Sequence, residues 1–330
     1  MCGIAGMLGE PDKSVLTKMT EYLHHRGPDG NGIFLDESCG FAHTRLAIVD
    51  VAGSPQPIFG QGKVAIVNGE IYNYKSLRDS SYDYQTNGDS EIVLSHTGRG
   101  SASDHAKWIS KLDGMFAFAL WSENQLILAR DSMGIKPLMR TLVENSMLFS
   151  SEAKALRAHE SYKPGIDDLA LRARIAWEYP LDATTLFEGV HQVRPGTVEV
   201  WELIDGKPKL TSSARFEAQS VAPEKEWSDA EGLLESFTLS VSDRLMSDVP
   251  LGIVLSGGLD SSLVCAVARE AAEIAGQPVP ACWTVAESED NPDWQAAEVV
   301  ASSLDLEHHQ HILEPDTCLL YTSPSPRDSY

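Results

Sequence analysis

Met1-Cys2-Gly3-Ile4-Ala5-Gly6-Met7-Leu8 opens the chain, and its cysteine is the first clue to the fold. Removal of Met1, which a small second residue permits, leaves Cys2 with both a thiol and a free α-amine. A thiol of pKa about 8.5 is only slightly ionised at neutral pH, and the thiolate is the nucleophile. An α-amine of pKa about 7.7–8.0 is a matched base within the same residue. Such a terminus can attack an amide carbonyl without a separate His or Lys. Outward from it, residues 3–8 read as a strand. Further short strands are expected over 41–49, 64–68, 115–121 and 125–130, between turn signals such as Asp29-Gly30-Asn31-Gly32 and Asn68-Gly69. Helices are fewer, over 12–24, 90–97, 105–112 and 151–158. Strands in runs with helices at the margins imply layered sheets covered by helices.

Three further blocks follow in order: His25-Arg26-Gly27-Pro28-Asp29, Arg45-Leu46-Ala47-Ile48-Val49-Asp50 and Asn68-Gly69-Glu70-Ile71-Tyr72-Asn73. With Cys2-Gly3-Ile4-Ala5-Gly6 they resemble the class II glutamine amidotransferase domain, an N-terminal-nucleophile hydrolase that releases ammonia from glutamine. The resemblance covers residues 1–203 and implies an α+β fold, a four-layer αββα sandwich. It also implies roles. The oxyanion of a tetrahedral intermediate needs aimed donors, and the Asn68 side chain and Gly69 N–H match them. A carboxylate wants a forked cation, matched by Arg45. An α-ammonium wants carboxylates, matched by Glu70 and by Asp89 in Gly88-Asp89-Ser90-Glu91. Leu46, Ile48 and Val49 lie in the family's glutamine pocket. His25 and Arg26 read as scaffold, and His43 and His96 as packed or exposed histidines. Asp131-Ser132-Met133-Gly134-Ile135-Lys136-Pro137-Leu138 matches another family block, expected at an interdomain surface. Met139-Arg140 departs from the family's usual aromatic, and no role is assigned there.

Residues 204–227, polar with Gly206 and two prolines, read as a linker. The grammar then changes. Ser228-Asp229-Ala230-Glu231 is a capping box that opens a helix of about 17 residues. Strands at 251–255, 281–285 and 307–313 alternate with helices at 261–275 and 293–304, the pattern of an open parallel sheet. Between the first strand and its helix stands Ser256-Gly257-Gly258-Leu259-Asp260-Ser261-Ser262. This is where orphan amides and a helix dipole face a phosphate, yet it is neither a Walker A loop nor Gly-x-Gly-x-x-Gly. It resembles the pyrophosphate loop of enzymes that cleave ATP between its α and β phosphates. That resemblance implies ATP contacts from Ser256, Gly257, Gly258, Asp260, Ser261 and Ser262, with Asp260 placing Mg²⁺. Leu245-Met246-Ser247-Asp248-Val249-Pro250 extends the match toward the asparagine synthetase family, in which Leu255 and Val285 would contact adenosine. His308-His309-Gln310-His311 lacks a ligand set for metal.

Glutaminase followed by this loop resembles glutamine-hydrolysing asparagine synthetase. The resemblance implies that ATP activates the aspartate side chain as an acyl-adenylate, which ammonia then attacks to give asparagine, AMP and pyrophosphate. Three alternatives stay open: another carboxylate acceptor, glutaminase activity alone, and an inactive nucleotide-sensing partner. Homodimers are usual among such relatives. The chain of 330 residues carries a net charge of −22, which argues against nucleic acid or an anionic membrane as partner. The longest apolar run, 115–121, is too short to span a bilayer. The first residues lack the basic start of a signal peptide, and position 2 is not the glycine of a myristoylation signal. A cytoplasmic protein is expected. Five cysteines without a Cys-x-x-Cys pair support neither disulfides nor zinc, so all but Cys2 read as small buried fillers. Residues 318–330 break the pattern and resemble translated adapter sequence. The second domain, 228–317, is therefore expected to be partial.

Overall fold

The amino-terminal strand forms over Gly3–Leu8 with all six residues buried, so it has a core on each face. In the computed structural model, which describes residues 1–179, 182–217 and 230–313, this strand lies inside an antiparallel sheet of six. The sheet runs His191–Gln192, Met139–Val143, Ser146–Ser150, Gly3–Leu8, Cys39–Arg45, Gly30–Leu35. A second antiparallel sheet of six runs Lys207–Arg215, Thr197–Ile204, Gln125–Arg130, Gly114–Ser122, Lys63–Ile71, Ile58–Gly60. Period-two alternation decides which residues meet. Ile4, Leu8, Phe41 and Phe149 of the first sheet pack on Ile66, Ala117, Ala119, Leu128 and Trp201 of the second.

The opposite face of the first sheet, with Ala5, Met7 and Ala42, is covered by Leu16, Met19 and Leu23 of the helix Lys13–Leu23 and by Leu156 of Ala153–Leu156. Asp12 caps the first of these, accepting from the Ser14 and Val15 amides at 2.7 and 3.0 Å. On the outer face of the second sheet Trp108 of Ala102–Ile109 stacks on Phe118. The layers are helix, sheet, sheet, helix, as expected. Each large side chain buried here contributes roughly 1.5–3 kcal/mol.

Three expectations are corrected. The linker read over 204–227 is strand as far as Arg215: Asp205 and Gly206, with φ of 54° and 72°, turn Thr197–Ile204 into Lys207–Arg215. The polar composition suits an edge strand, and the rest of that linker, 218–227, lies outside the described residues. The strand expected over 41–49 ends at Arg45, since the Ala47 amide turns away to Asp29 Oδ2 at 2.8 Å. The helix expected over 105–112 begins at Ala102, behind a capping box of Ser101 and Asp104.

A second unit spans Ala222–Tyr330. Gly252–Val254, Ala281–Ala286 and His308–Ile312 form a parallel sheet in sequence order, with Leu259–Ala275 and Pro292–Ser303 as crossover helices. Its core joins Leu255, Cys265, Cys282, Ala297 and Ala301. This is the expected partial α/β sheet. Ala230–Asp243 is helical, while Ser228 and Asp229 of its capping box, Cys318 and the 318–330 tail lie outside the described residues. Among the described residues no helix is long and apolar enough to cross a membrane, and no three His, Cys, Asp or Glu gather as metal ligands.

Candidate active site

Cys2 lies two residues before Ile4, so alternation puts its side chain on the face that looks into the sandwich. Its neighbour in the next strand follows from the pair Gly3↔Thr44 as Arg45. Cys2 Sγ accepts from the Leu46 N–H at 3.4 Å. Behind it, Arg26 Nε donates to the Cys2 carbonyl at 2.9 Å, and Arg26 Nη1 donates to Glu152 Oε1 at 2.8 Å. Glu152 also meets His25 and Lys154. Arg26 and His25 thus brace the backbone of Cys2, as scaffold residues.

The facing wall is the strand Lys63–Ile71. Val64 and Ile66 point into the sandwich, so Asn68 and Glu70 do too. Asn68 is fully buried, and neither its Oδ1 nor its Nδ2 has a protein partner among the described residues. A buried amide left in this way costs about 1–3 kcal/mol, so its donor and acceptor are open to a ligand. Gly69 presents a second donor. Tyr72 turns its N–H to the carbonyl of Asp113, just before the neighbouring strand Gly114–Ser122, so the odd-numbered amides of this strand face its open edge. There Gln56 Oε1 takes Val67 N–H at 2.6 Å and Asp89 Oδ2 takes Ile71 N–H at 2.8 Å. Gly69 N–H lies between them, and no hydrogen bond of the described residues consumes it. A side chain at Gly69 would overlap the Met115 carbonyl and Phe116.

Glu70 and Asp89 lie near Cys2. Burial raises the Cys2 thiol; the Leu46 amide and the amino terminus oppose this, and Glu70 and Asp89 add to it. Burial also raises the Glu70 carboxyl, with help from Asp89 and against the Lys136 ammonium. Asp89 is raised by burial against the bonds it accepts. Burial lowers Lys136, against the pull of Glu70 and Cys2. Lys136, in the block expected at an interdomain surface and given no role of its own, is instead buried beside Glu70 and Cys2. Asp131 seats it, accepting from the amides of Phe116, Met133, Ile135 and Lys136. A lysine in an otherwise apolar Gly-Ile-Lys-Pro-Leu run was the available signal. His43 is a packed residue: Nε2 meets the Val67 carbonyl at 3.1 Å, and burial lowers it to about 4.

The Arg45 guanidinium is committed largely to its own loop, donating to the carbonyls of Val51, Val49 and Asp50 at 2.7, 3.3 and 2.8 Å. It therefore shapes the turn that carries Leu46, Ile48 and Val49. Arg140, where no role was read, reaches across the sandwich to Glu199 in two bonds of 2.6 and 2.9 Å and lies over Trp201.

In the second unit Gly258 caps Leu259–Ala275, and the loop before it is tight. Gly257 has a φ of 75°, and a Cβ there would overlap Ala296 and Ala297. Ser256 Oγ meets Ser261 Oγ at 3.1 Å, and Ser262 Oγ donates to the Gly258 carbonyl at 2.7 Å. Asp260 is exposed in the first helical turn. Leu255 is buried under the loop while Val285 is half exposed. Of the histidines, His308 meets Thr284 Oγ1 and His309 stacks on Trp283.

A family model described as glutamine amidotransferase domain matches residues 1–209, and one described as asparagine synthase matches 232–324. Asparagine synthetase [glutamine-hydrolyzing] 1 of Bacillus subtilis (strain 168) is 34% identical over 82% of this chain and 44% of its own length. Asparagine synthetase [glutamine-hydrolyzing] 2 of Arabidopsis thaliana is 33% identical over 94% of this chain and 50% of its own. The chain thus spans about half the length of these curated relatives. Among solved structures, the glutamine phosphoribosylpyrophosphate amidotransferase of B. subtilis aligns with a TM-score of 0.48 at 16% identity, covering 98% of this chain and 70% of that one. With the amidotransferase model spanning well over half of its residues, the chain belongs to the glutamine amidotransferase domain family.

Proposed function

We propose that Cys2, once Met1 is removed, hydrolyses glutamine, and that the second unit belongs to an ATP-dependent synthetase that passes the ammonia to aspartate. The observation that carries the first half is the pair of idle donors, Asn68 Nδ2 and Gly69 N–H, on the wall that faces Cys2. The α-amine of Cys2 takes the thiol proton as the sulfur attacks the γ-carboxamide. The oxyanion forms between Asn68 and Gly69, ammonia leaves, and water cleaves the thioester. Glutamine's α-ammonium meets Glu70 and Asp89. Burial raises both carboxyls, with the charge of Asp89 adding to it at Glu70, and a bound ammonium would favour their ionised forms. Arg45 and the turn bearing Leu46, Ile48 and Val49 receive the α-carboxylate.

For the second half, the match to asparagine synthase and the seven-residue loop support ATP as the activating substrate. Gly257 and Gly258 let the backbone approach the phosphates, and Ser256, Ser261 and Ser262 bring hydroxyls. Leu255 and Val285 border the adenosine. Asp260 is exposed at the loop with a carboxylate free of the core, which suits Mg²⁺, a cation that binds one or two carboxylates together with substrate phosphates. Bound there, Mg²⁺ would neutralise phosphate charge. ATP converts the aspartate carboxylate into an acyl-adenylate that ammonia can attack, and AMP and pyrophosphate depart. The names of the relatives favour aspartate over another carboxylate. We place the protein in the cytoplasm, and a homodimer accords with its kind.

The test is release of ammonia and pyrophosphate with glutamine, ATP·Mg²⁺ and aspartate, and again without aspartate. Ammonia in both mixtures supports the glutaminase. Pyrophosphate that requires aspartate supports the synthetase, and pyrophosphate released equally with and without it would contradict aspartate as the acceptor.

A further inference from the structure

The two walls that would grip the head of glutamine are joined through Asp50. Its carbonyl accepts from Arg45 Nη2 at 2.8 Å, on the wall that receives a carboxylate. Its Oδ2 accepts from Ser54 Oγ at 2.7 Å and from the Asn87 amide at 2.9 Å. Asn87 stands two residues before Asp89, on the wall that receives an ammonium. Asp50 has a φ of 48°, a left-handed backbone that costs a non-glycine residue free energy and marks a constrained position. At the same junction Gly88 touches Ser54 so closely that a Cβ on it would overlap the Ser54 side chain. From Asp89 the contacts run on to the Ile71 amide, in the strand that holds Asn68 and Gly69. The Ser54 hydroxyl, with the Asn87 and Gly53 amides, holds the Asp50 carboxyl below its ordinary value against the effect of burial, so the carboxylate is the form present at neutral pH.

We propose that Asp50 is a positioning residue that sets the spacing between the carboxylate-binding and ammonium-binding walls, and so confers selectivity for amides carrying a free α-amino-acid head over simple amides. The proposal rests on the glutaminase reading. Asp50 touches no reacting atom, so its removal acts on recognition and leaves the chemistry at Cys2 alone.

Two electrophiles separate these effects, with adducts at Cys2 read by peptide mass spectrometry. Iodoacetamide has no head group, whereas a diazoketone analogue of glutamine carries one. Asp50→Ala is expected to lower the diazoketone rate and raise the glutamine KM roughly tenfold, the equivalent of one charge-assisted hydrogen bond. The iodoacetamide rate and kcat stay within about twofold of wild type. Asp50→Asn, which keeps an acceptor for the Asn87 amide, recovers most of the loss. Wild-type rates with both probes in Asp50→Ala, or equal slowing of both, would overturn the proposal. A wild-type protein that reacts no faster with the diazoketone than with iodoacetamide fails differently: it overturns the glutamine reading, and this proposal with it.

Discussion

Replacing Asn68 by leucine should separate stability from activity in opposite directions. Leucine keeps the branch at Cγ and removes both polar atoms. In the free protein those atoms are buried without protein partners, so their loss should stabilise the fold by about 1–3 kcal/mol. For a unit of this size each kcal/mol moves Tm by roughly 2–4 °C, so Asn68→Leu should melt about 2–12 °C higher. The transition state loses one oxyanion donor, and removal of such a donor costs roughly 10²–10³ in kcat. Asn68→Ala should lose the same rate, but the space it leaves offsets the stability gain. Thermal melts and ammonia release from glutamine measure the two effects on one preparation. The reasoning fails if Asn68→Leu retains activity within a few fold. It fails equally if the variant melts lower than wild type, because the amide would then be a structural partner rather than a waiting donor.

Other consequences follow from the same geometry. Glu70 and Asp89 have raised pKa values, and an ammonium favours their ionised forms, so the glutamine KM should fall as pH rises through and above the ordinary carboxylate range. Without glutamine the sign is reversed for stability: these groups stabilise the fold below their unfolded pKa, and that contribution is lost as pH climbs through the raised values. Melting with and without glutamine across pH 5–8 checks both statements. Arg140→Met leaves Glu199 buried without its cation, holding only the Trp201 Nε1–H at 2.9 Å, and should cost about 3 kcal/mol; denaturant unfolding measures it. Gly257→Ala forces a side chain into the left-handed region against Ala296 and Ala297, and should abolish ATP binding in an equilibrium assay while leaving ammonia release from glutamine unchanged.

Strands buried on both faces, such as Gly3–Leu8 and Gln125–Arg130, were legible because an apolar run bounded by turn residues has few other uses. The run Leu46-Ala47-Ile48-Val49 has the same look and is a loop. What pulls it out of the sheet is a bond from its amide to Asp29 and three carbonyls gathered by Arg45, which no local periodicity reveals. The Lys207–Arg215 strand was hidden by its edge position, although Asp205-Gly206 is a two-residue hairpin signal that was there to be read. At the candidate site, Cys2, Asn68, Gly69 and Asp89 were named from the motif blocks, and the fold brings them to one region. Asp50 and Lys136 lay inside those blocks without assigned work, because their meaning depends on Asn87, Glu70 and Cys2, which are distant in sequence. Arg140 could be understood only from Glu199 and Trp201 on the opposite sheet.

The most direct test compares ammonia release from glutamine by the wild-type chain and by Cys2→Ala, after intact mass has shown that Met1 is gone from both. The account predicts steady release by the wild type and none above background from the variant. Equal release by the two proteins would contradict it, because the nucleophile would then lie elsewhere.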